Sequence, residues 1–197
     1  MVTALGRLAL QFLQYLGELA LLVYETCVAL VVAPIRWRLF LRQIVEVGWR
    51  SQLVVIVTGM FTGAVLTAQM YFQFAVRGME SATGSVVAVA LFRELGPVLT
   101  GLMVAGRVGA TSAAEIGTMK VNEELNALET MGLDPMRFLV VPRVLAGLIV
   151  TPILTIYANL LGVAGGFFVM MLQGFPFAAL WNQLLSAVTI HDVLTGF

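Results

Sequence analysis

Polar residues are sparse and regularly spaced at the start of the chain. Thr3, Arg7, Gln11, Gln14, Glu18 and Glu25 follow one another at intervals of three, four or seven. An α-helix turns once every 3.6 residues, so these intervals stack the six side chains on one narrow face. A helix over residues 3–33, largely apolar elsewhere, either lies in a membrane interface with its stripe toward water or stands upright with the stripe against protein. The interfacial placement is the expectation. Pro34 is positioned to end that helix, and Arg36, Arg38, Arg42 and Arg50 follow, with Trp37 and Trp49 as interfacial anchors.

Ser51 to Val76 contains no Asp, Glu, Lys, Arg or His. At 1.5 Å per residue this stretch reaches roughly 39 Å, enough to cross the hydrocarbon with some tilt. Gly78 and Gly84, with Ser81 and Thr83 between them, break the apolar run and predict a reversal over residues 77–84. A second span is expected over 85–119, carrying Arg93, Glu94, Arg107 and Glu115 in apolar surroundings, and a third over 138–173, where Pro142 and Pro152 can bend the helix. The tail from Gly174 holds aromatic and polar residues suited to an interface. The pattern predicts an all-α, polytopic membrane protein with one permease-type domain over 1–197.

Lysine and arginine are distributed unevenly among the connections. Arg36, Arg38, Arg42, Arg50, Lys120, Arg137 and Arg143 fall on one side and only Arg77 on the other. The positive-inside rule then predicts a cytoplasmic N-terminus and a cytoplasmic connection from Lys120 to Arg143.

Composition agrees with the pattern: 60% of the 197 residues are hydrophobic and 11% are charged, against about 25% charged in soluble domains. Three spans and their connections leave no room in this length for a separate soluble catalytic domain. The net charge of zero gives no sign of a polyanionic partner, and none of the expected partners is a nucleic acid. Cys27 is the sole cysteine and is expected to pack on its helix; His191 is the sole histidine. No catalytic set, metal site or cofactor is expected. The Gly-x4-Gly-Lys-Ser/Thr phosphate loop is lacking, so ATP hydrolysis would belong to a partner. A cleavable leader is not expected either, because Gln11, Gln14, Glu18 and Glu25 interrupt the apolar core it would need.

Three constellations carry the functional expectations. Gly101, Ala105, Gly109, Ala113 and Gly117 recur every four residues on the second span, a stripe suited to close helix packing, inside the chain or between subunits. Arg93 and Glu94 precede Leu95-Gly96-Pro97; Pro97 removes a backbone donor and predicts a kink, and a charged pair beside a kink in the membrane suggests a polar-lined cavity. Residues 119–132 predict a short amphipathic helix in which Leu125, Leu128 and Met131 share three-residue spacing, beside the acidic Glu123, Glu124 and Glu129. Gly132 is placed to stop it and Asp134-Pro135 to cap and start the next helix.

The segments Arg93-Glu94-Leu95-Gly96-Pro97-Val98, Ala105-Gly106-Arg107, Ala114-Glu115-Ile116-Gly117-Thr118-Met119, Glu123-Glu124-Leu125-x-Ala127-Leu128-x-x-Met131-Gly132-x-Asp134-Pro135 and Pro142-Arg143, in this order, resemble the MlaE/YrbE permease family. The family comprises membrane subunits of ABC-type phospholipid transporters. The resemblance implies a homodimer in the bacterial inner membrane, bound to two cytoplasmic ABC ATPase subunits, with a small regulatory subunit possible. It also implies a periplasmic substrate-binding MCE ring protein as partner. By position, Leu66, Phe74, Arg93, Glu94 and Val98 would line a phospholipid cavity. Glu115, Met119, Glu123, Glu124, Leu125, Leu128 and Met131 would belong to the segment that couples to the ATPase. Family members usually have five spans, so a chain ending at His191 to Phe197, where a fourth should begin, is expected to be a fragment. Two other readings compete, an importer permease for a small polar solute and a membrane scaffold without transport. The apolar Leu66, Phe74 and Val98 favour acyl chains over a polar solute.

Overall fold

The computed structural model describes residues 2–32 and 37–195. Among these the chain forms helices α1 (Val2–Val32), α2 (Trp37–Ala75), α3 (Thr83–Ala90), α4 (Gly96–Val121), α5 (Glu124–Thr130), α6 (Val141–Leu172), α7 (Phe177–Ala187) and α8 (Ile190–Thr195), and no strand. A 3₁₀ turn, Glu80–Ala82, leads into α3, and π-helical turns at Leu91–Leu95 and Met136–Val140 lead into α4 and α6. Pro34, expected to end the first helix, lies outside the described residues, as do Arg36, Gly196 and Phe197.

Among the described residues, four stretches are long and apolar enough to cross a membrane: Leu10–Ala29 in α1, Trp37–Ala75, Glu80–Val121 and Phe138–Leu172. The last three correspond to the three expected spans. The first of these begins fourteen residues before Ser51, because the arginines ahead of it are good helix formers and Arg50 pairs with Glu46 one turn back at 2.9 Å. Helix α1 meets the same length and composition requirement, so the expected count of three rises to four candidates. Its stripe carries a local bond, Gln14 Nε2 donating to Glu18 Oε1 at 3.2 Å. Cys27, expected to pack, is exposed on this helix.

The chain divides into two compact units, Met1–Gln43 with Ile116–Ala146, and Ile44–Glu115 with Gly147–Phe197. In the second unit, α2 and α6 approach at backbone distance. Added Cβ atoms at Gly59 and Gly63 would meet the carbonyl oxygens of Ala158 and Gly162, and one at Gly165 would meet that of Met60. Gly59 and Gly63 on one helix, with Ala158 and Gly162 on the other, are two small-xxx-small pairs facing each other. In lipid, where apolar burial does not drive helices together, such contact supplies the dispersion that holds them. Buried hydroxyls on these helices bond to their own backbone, Thr67 Oγ1 to the Gly63 carbonyl at 2.7 Å and Thr155 Oγ1 to the Thr151 carbonyl at 2.9 Å.

The stripe on α4 behaves differently. Added Cβ atoms at Gly101, Gly109 and Gly117 would meet nothing within 4 Å, and Ala105 and Ala113 are exposed. The close packing expected inside the chain is made by the α2 and α6 glycines, and this stripe stays open.

Each π turn ends two residues before a proline, Leu95 before Pro97 and Val140 before Pro142. The amide of Gly96 donates to Leu91 and that of Val141 to Met136, five residues back in both cases. Where a helix returns from five-residue to four-residue bonding, one carbonyl is left over; a proline at that point lacks the N–H that would have served it. The kink expected at Pro97 is thus a widened turn. Gly96 is needed there because an added Cβ would coincide with Asn159 Oδ1 of α6.

Two outcomes follow from this packing. Gly63→Ala is expected to lower thermal stability in detergent by about 1–3 kcal/mol through backbone overpacking, whereas Gly101→Ala is expected to be neutral or stabilising by about 0.5–1 kcal/mol. Gly96→Ala is expected to be destabilising as well, and an unchanged melting temperature for either Gly63→Ala or Gly96→Ala would contradict the observed contacts.

Candidate functional site

The π turn Leu91–Leu95 sets the direction of two charges. Leu91 and Phe92 point into an apolar core with Val87, Val163, Phe167 and Met170, which leaves Arg93 and Glu94 on the opposite, exposed side of the turn. Both line an open groove of about 460 Å³ together with Ser85, Val86, Val89 and Ala90 of α3 and Ala187 of α7. Helix α7 is seated by Leu180, which is fully buried in the same core, and by Phe177, whose ring meets Phe167 edge-on at 5.9 Å and stacks on Trp181 at 6.1 Å. The groove wall therefore belongs to the packed body of this unit.

Arg93 and Glu94 make no ion pair with each other, and neither side chain has a hydrogen bond to another described residue. Beyond them, α8 packs against the π turn. Its Asp192 accepts bonds from the Thr189 hydroxyl at 2.7 Å and the Thr189 amide at 2.9 Å. These bonds hold the Asp192 carboxyl below its ordinary range, with further lowering from the positive field of Arg93 and from His191. Asp192 is thus a third charge near the groove that sequence spacing had no means of bringing to Arg93, ninety-nine positions away.

The expected lining residues are only partly united. Arg93 and Glu94 share the groove, while Leu66 is half-buried against the apolar core, Phe74 is half-buried near the end of α2, and Val98 is exposed on α4 outside the groove. Position in a family pattern does not fix helix rotation, and the π turn shifts the face that Val98 presents relative to Glu94. Asn159 was missed altogether. It is buried, and its Oδ1 has no hydrogen-bond partner where it lies against Gly96; an isolated Asn in an apolar span is the one signal that could have found it.

The expected amphipathic helix over 119–132 is shorter and broken. Met119 belongs to the last turn of α4, which runs to Val121 with Glu115 half-buried two turns earlier. Glu123 takes a left-handed conformation, φ 58°, and α5 begins at Glu124. Gly132, at φ 72°, closes α5 in a Schellman arrangement, its amide bonding to Glu129 at 2.9 Å and the Leu133 amide to Leu128 at 3.0 Å. The Asp134 carboxylate then accepts the Met136 amide at 3.0 Å, an N-cap with Pro135 in the first helical position. Leu128 is buried, Leu125 is half-buried, and Glu123, Glu124 and Met131 are exposed. Spacing of three puts these apolar residues near one face, and burial of Leu128 holds that face while its rim stays accessible.

Comparison with known proteins agrees with this architecture. The Permease MlaE family pattern matches residues 40–197. A probable ABC transporter permease protein of Rickettsia conorii is 39% identical over 194 residues, covering 98% of this chain and 75% of that protein. The intermembrane phospholipid transport system permease protein MlaE of Haemophilus influenzae is 34% identical over 198 residues, covering 100% of this chain and 76% of that protein. The chloroplastic protein trigalactosyldiacylglycerol 1 of Arabidopsis thaliana is 37% identical over 140 residues, 71% of this chain and 40% of that protein. The chain thus spans about three quarters of the two bacterial relatives, and on the matched residues and its membrane-length helices it belongs to the MlaE permease family, as a multi-pass ABC transporter permease.

Proposed function

We propose that this permease moves phospholipids between the inner and outer membranes of a bacterium, working as a homodimer driven by separate cytoplasmic ATPase subunits. The observation that carries the reading is the groove: two charges of opposite sign that make no ion pair with each other stand at its edge on a membrane-length helix, and its walls are Val86, Val89 and Ala90. A charged side chain at bilayer depth costs about 2.5–3.5 kcal/mol or more, so such residues are retained where they meet a polar ligand or a pathway. Apolar walls beside a charged edge suit a molecule with acyl chains and a polar head better than a sugar or an amino acid. The phospholipid named in the Haemophilus relative agrees with this choice.

The open small-residue stripe of α4 supports a second copy of the chain as its partner, since two such faces can approach as closely as α2 and α6 do. Coupling is assigned to the end of α4 and α5: Glu115, Met119, Glu123, Glu124, Leu125, Leu128 and Met131. The buried Leu128 would set the shape, and the rim of Glu124, Leu125 and Met131 would make the contact. In this reading the N-terminus and α5 are cytoplasmic, α7 and α8 face the periplasm, and an MCE ring protein receives or supplies the lipid there.

Leu125→Asp combined with Met131→Asp is expected to abolish copurification of the ATPase while leaving membrane insertion intact; retained ATPase would remove α5 from the coupling role. For the groove, Glu94→Lys is expected to weaken photocrosslinking of a lipid probe placed at Val89 or Ala90. Unchanged labelling would take Glu94 off the path.

A further inference from the structure

The charges around the groove do not balance, and their sum bears on which lipid fits. Arg93 supplies one positive charge at the groove, while Glu94 on the groove and Asp192 beside the π turn supply two negative ones. Asp192 is the better held of the carboxylates, tied down by both donors of Thr189. Glu94 has no partner among the described residues, and side chains of successive helical residues diverge by roughly 100°, so Arg93 and Glu94 are set to flank a guest rather than to neutralise each other.

Resting on the lipid-transport reading, we propose that this groove selects a zwitterionic head group carrying an ammonium, of the phosphoethanolamine class, over an anionic head group of the phosphoglycerol class. The Arg93 guanidinium offers paired N–H donors to the phosphate, and the Glu94 carboxylate accepts from the ammonium. A phosphoglycerol head brings the same phosphate with no positive charge. It leaves Glu94 unanswered and adds a negative charge near Asp192, which already draws on the field of Arg93. The apolar α3 wall takes the acyl chains of either lipid and does not discriminate.

The test uses the full chain reconstituted in nanodiscs made from equal amounts of phosphatidylethanolamine and phosphatidylglycerol with identical acyl chains, and native mass spectrometry of the lipid it retains. Wild type is expected to retain phosphatidylethanolamine over phosphatidylglycerol by up to about fivefold, the scale of one partly exposed charge pair. Glu94→Gln is isosteric and removes no described contact within the protein, so it should fold and bring the ratio close to one. Asp192→Asn should lower the ratio in the same direction. Equal retention by wild type, or an unchanged ratio in Glu94→Gln with lipid still bound, overturns the head-group selection and leaves lipid transport standing. Wild type retaining no lipid, as when a second copy of the chain fills the groove, overturns both.

Discussion

A helix in hydrocarbon must satisfy its backbone from within, and that requirement shapes this protein at the point where it matters most. Pro97 cannot donate a hydrogen bond, and lipid offers no water in its place. The chain meets the shortfall by widening the turn Leu91–Leu95, so that the leftover carbonyl and the missing donor coincide. Widening the turn also rotates the residues around it. Leu91 and Phe92 go into the core, and Arg93 and Glu94 go to the groove. The same arrangement recurs at Met136–Val140 before Pro142, where α6 begins. One local solution to a backbone problem thus appears at the groove and again next to the segment assigned to coupling.

Around that turn, glycine is used in two ways. Gly59, Gly63, Gly162 and Gly165 bring α2 and α6 to backbone contact, and Gly96 makes room for Asn159 against the widened turn. These positions tie the body that carries the groove. Gly101, Gly109 and Gly117 have nothing against them. A residue type suited to close approach is thus repeated along a face of α4 whose glycines no described residue covers.

The spans, the turn after Val76 and the stop at Gly132 were legible in the sequence because each rests on a local rule: length of an apolar run, absence of charged residues, or a glycine where φ must be positive. Pro97 announced a disturbance but not its form, since a kink and a π turn share the same missing donor. The start of α5 was not legible. Glu123 takes a left-handed conformation without being glycine, asparagine or aspartate, and only the surrounding chain selects it. Leu128 faces inward because its neighbours bury it, which three-residue spacing alone does not decide. In the groove, Arg93 and Glu94 were found from their cost in lipid. Ala187 and Asp192 were not, for they are ordinary residues brought near Arg93 by the seating of α7 and α8. The extra membrane-length stretch in α1 was read as interfacial because of its polar stripe, and length and composition alone allow it to cross.

The central claim is that Arg93 and Glu94 persist at membrane depth because they border a chamber for lipid. A structure of the permease with its ATPase in a lipid bilayer tests it most directly. The account predicts density for two acyl chains along Val86, Val89 and Ala90, with a head group between Arg93 and Glu94. Side chains of the protein filling that groove, with both charges neutralised by protein partners and no lipid beside them, would contradict it.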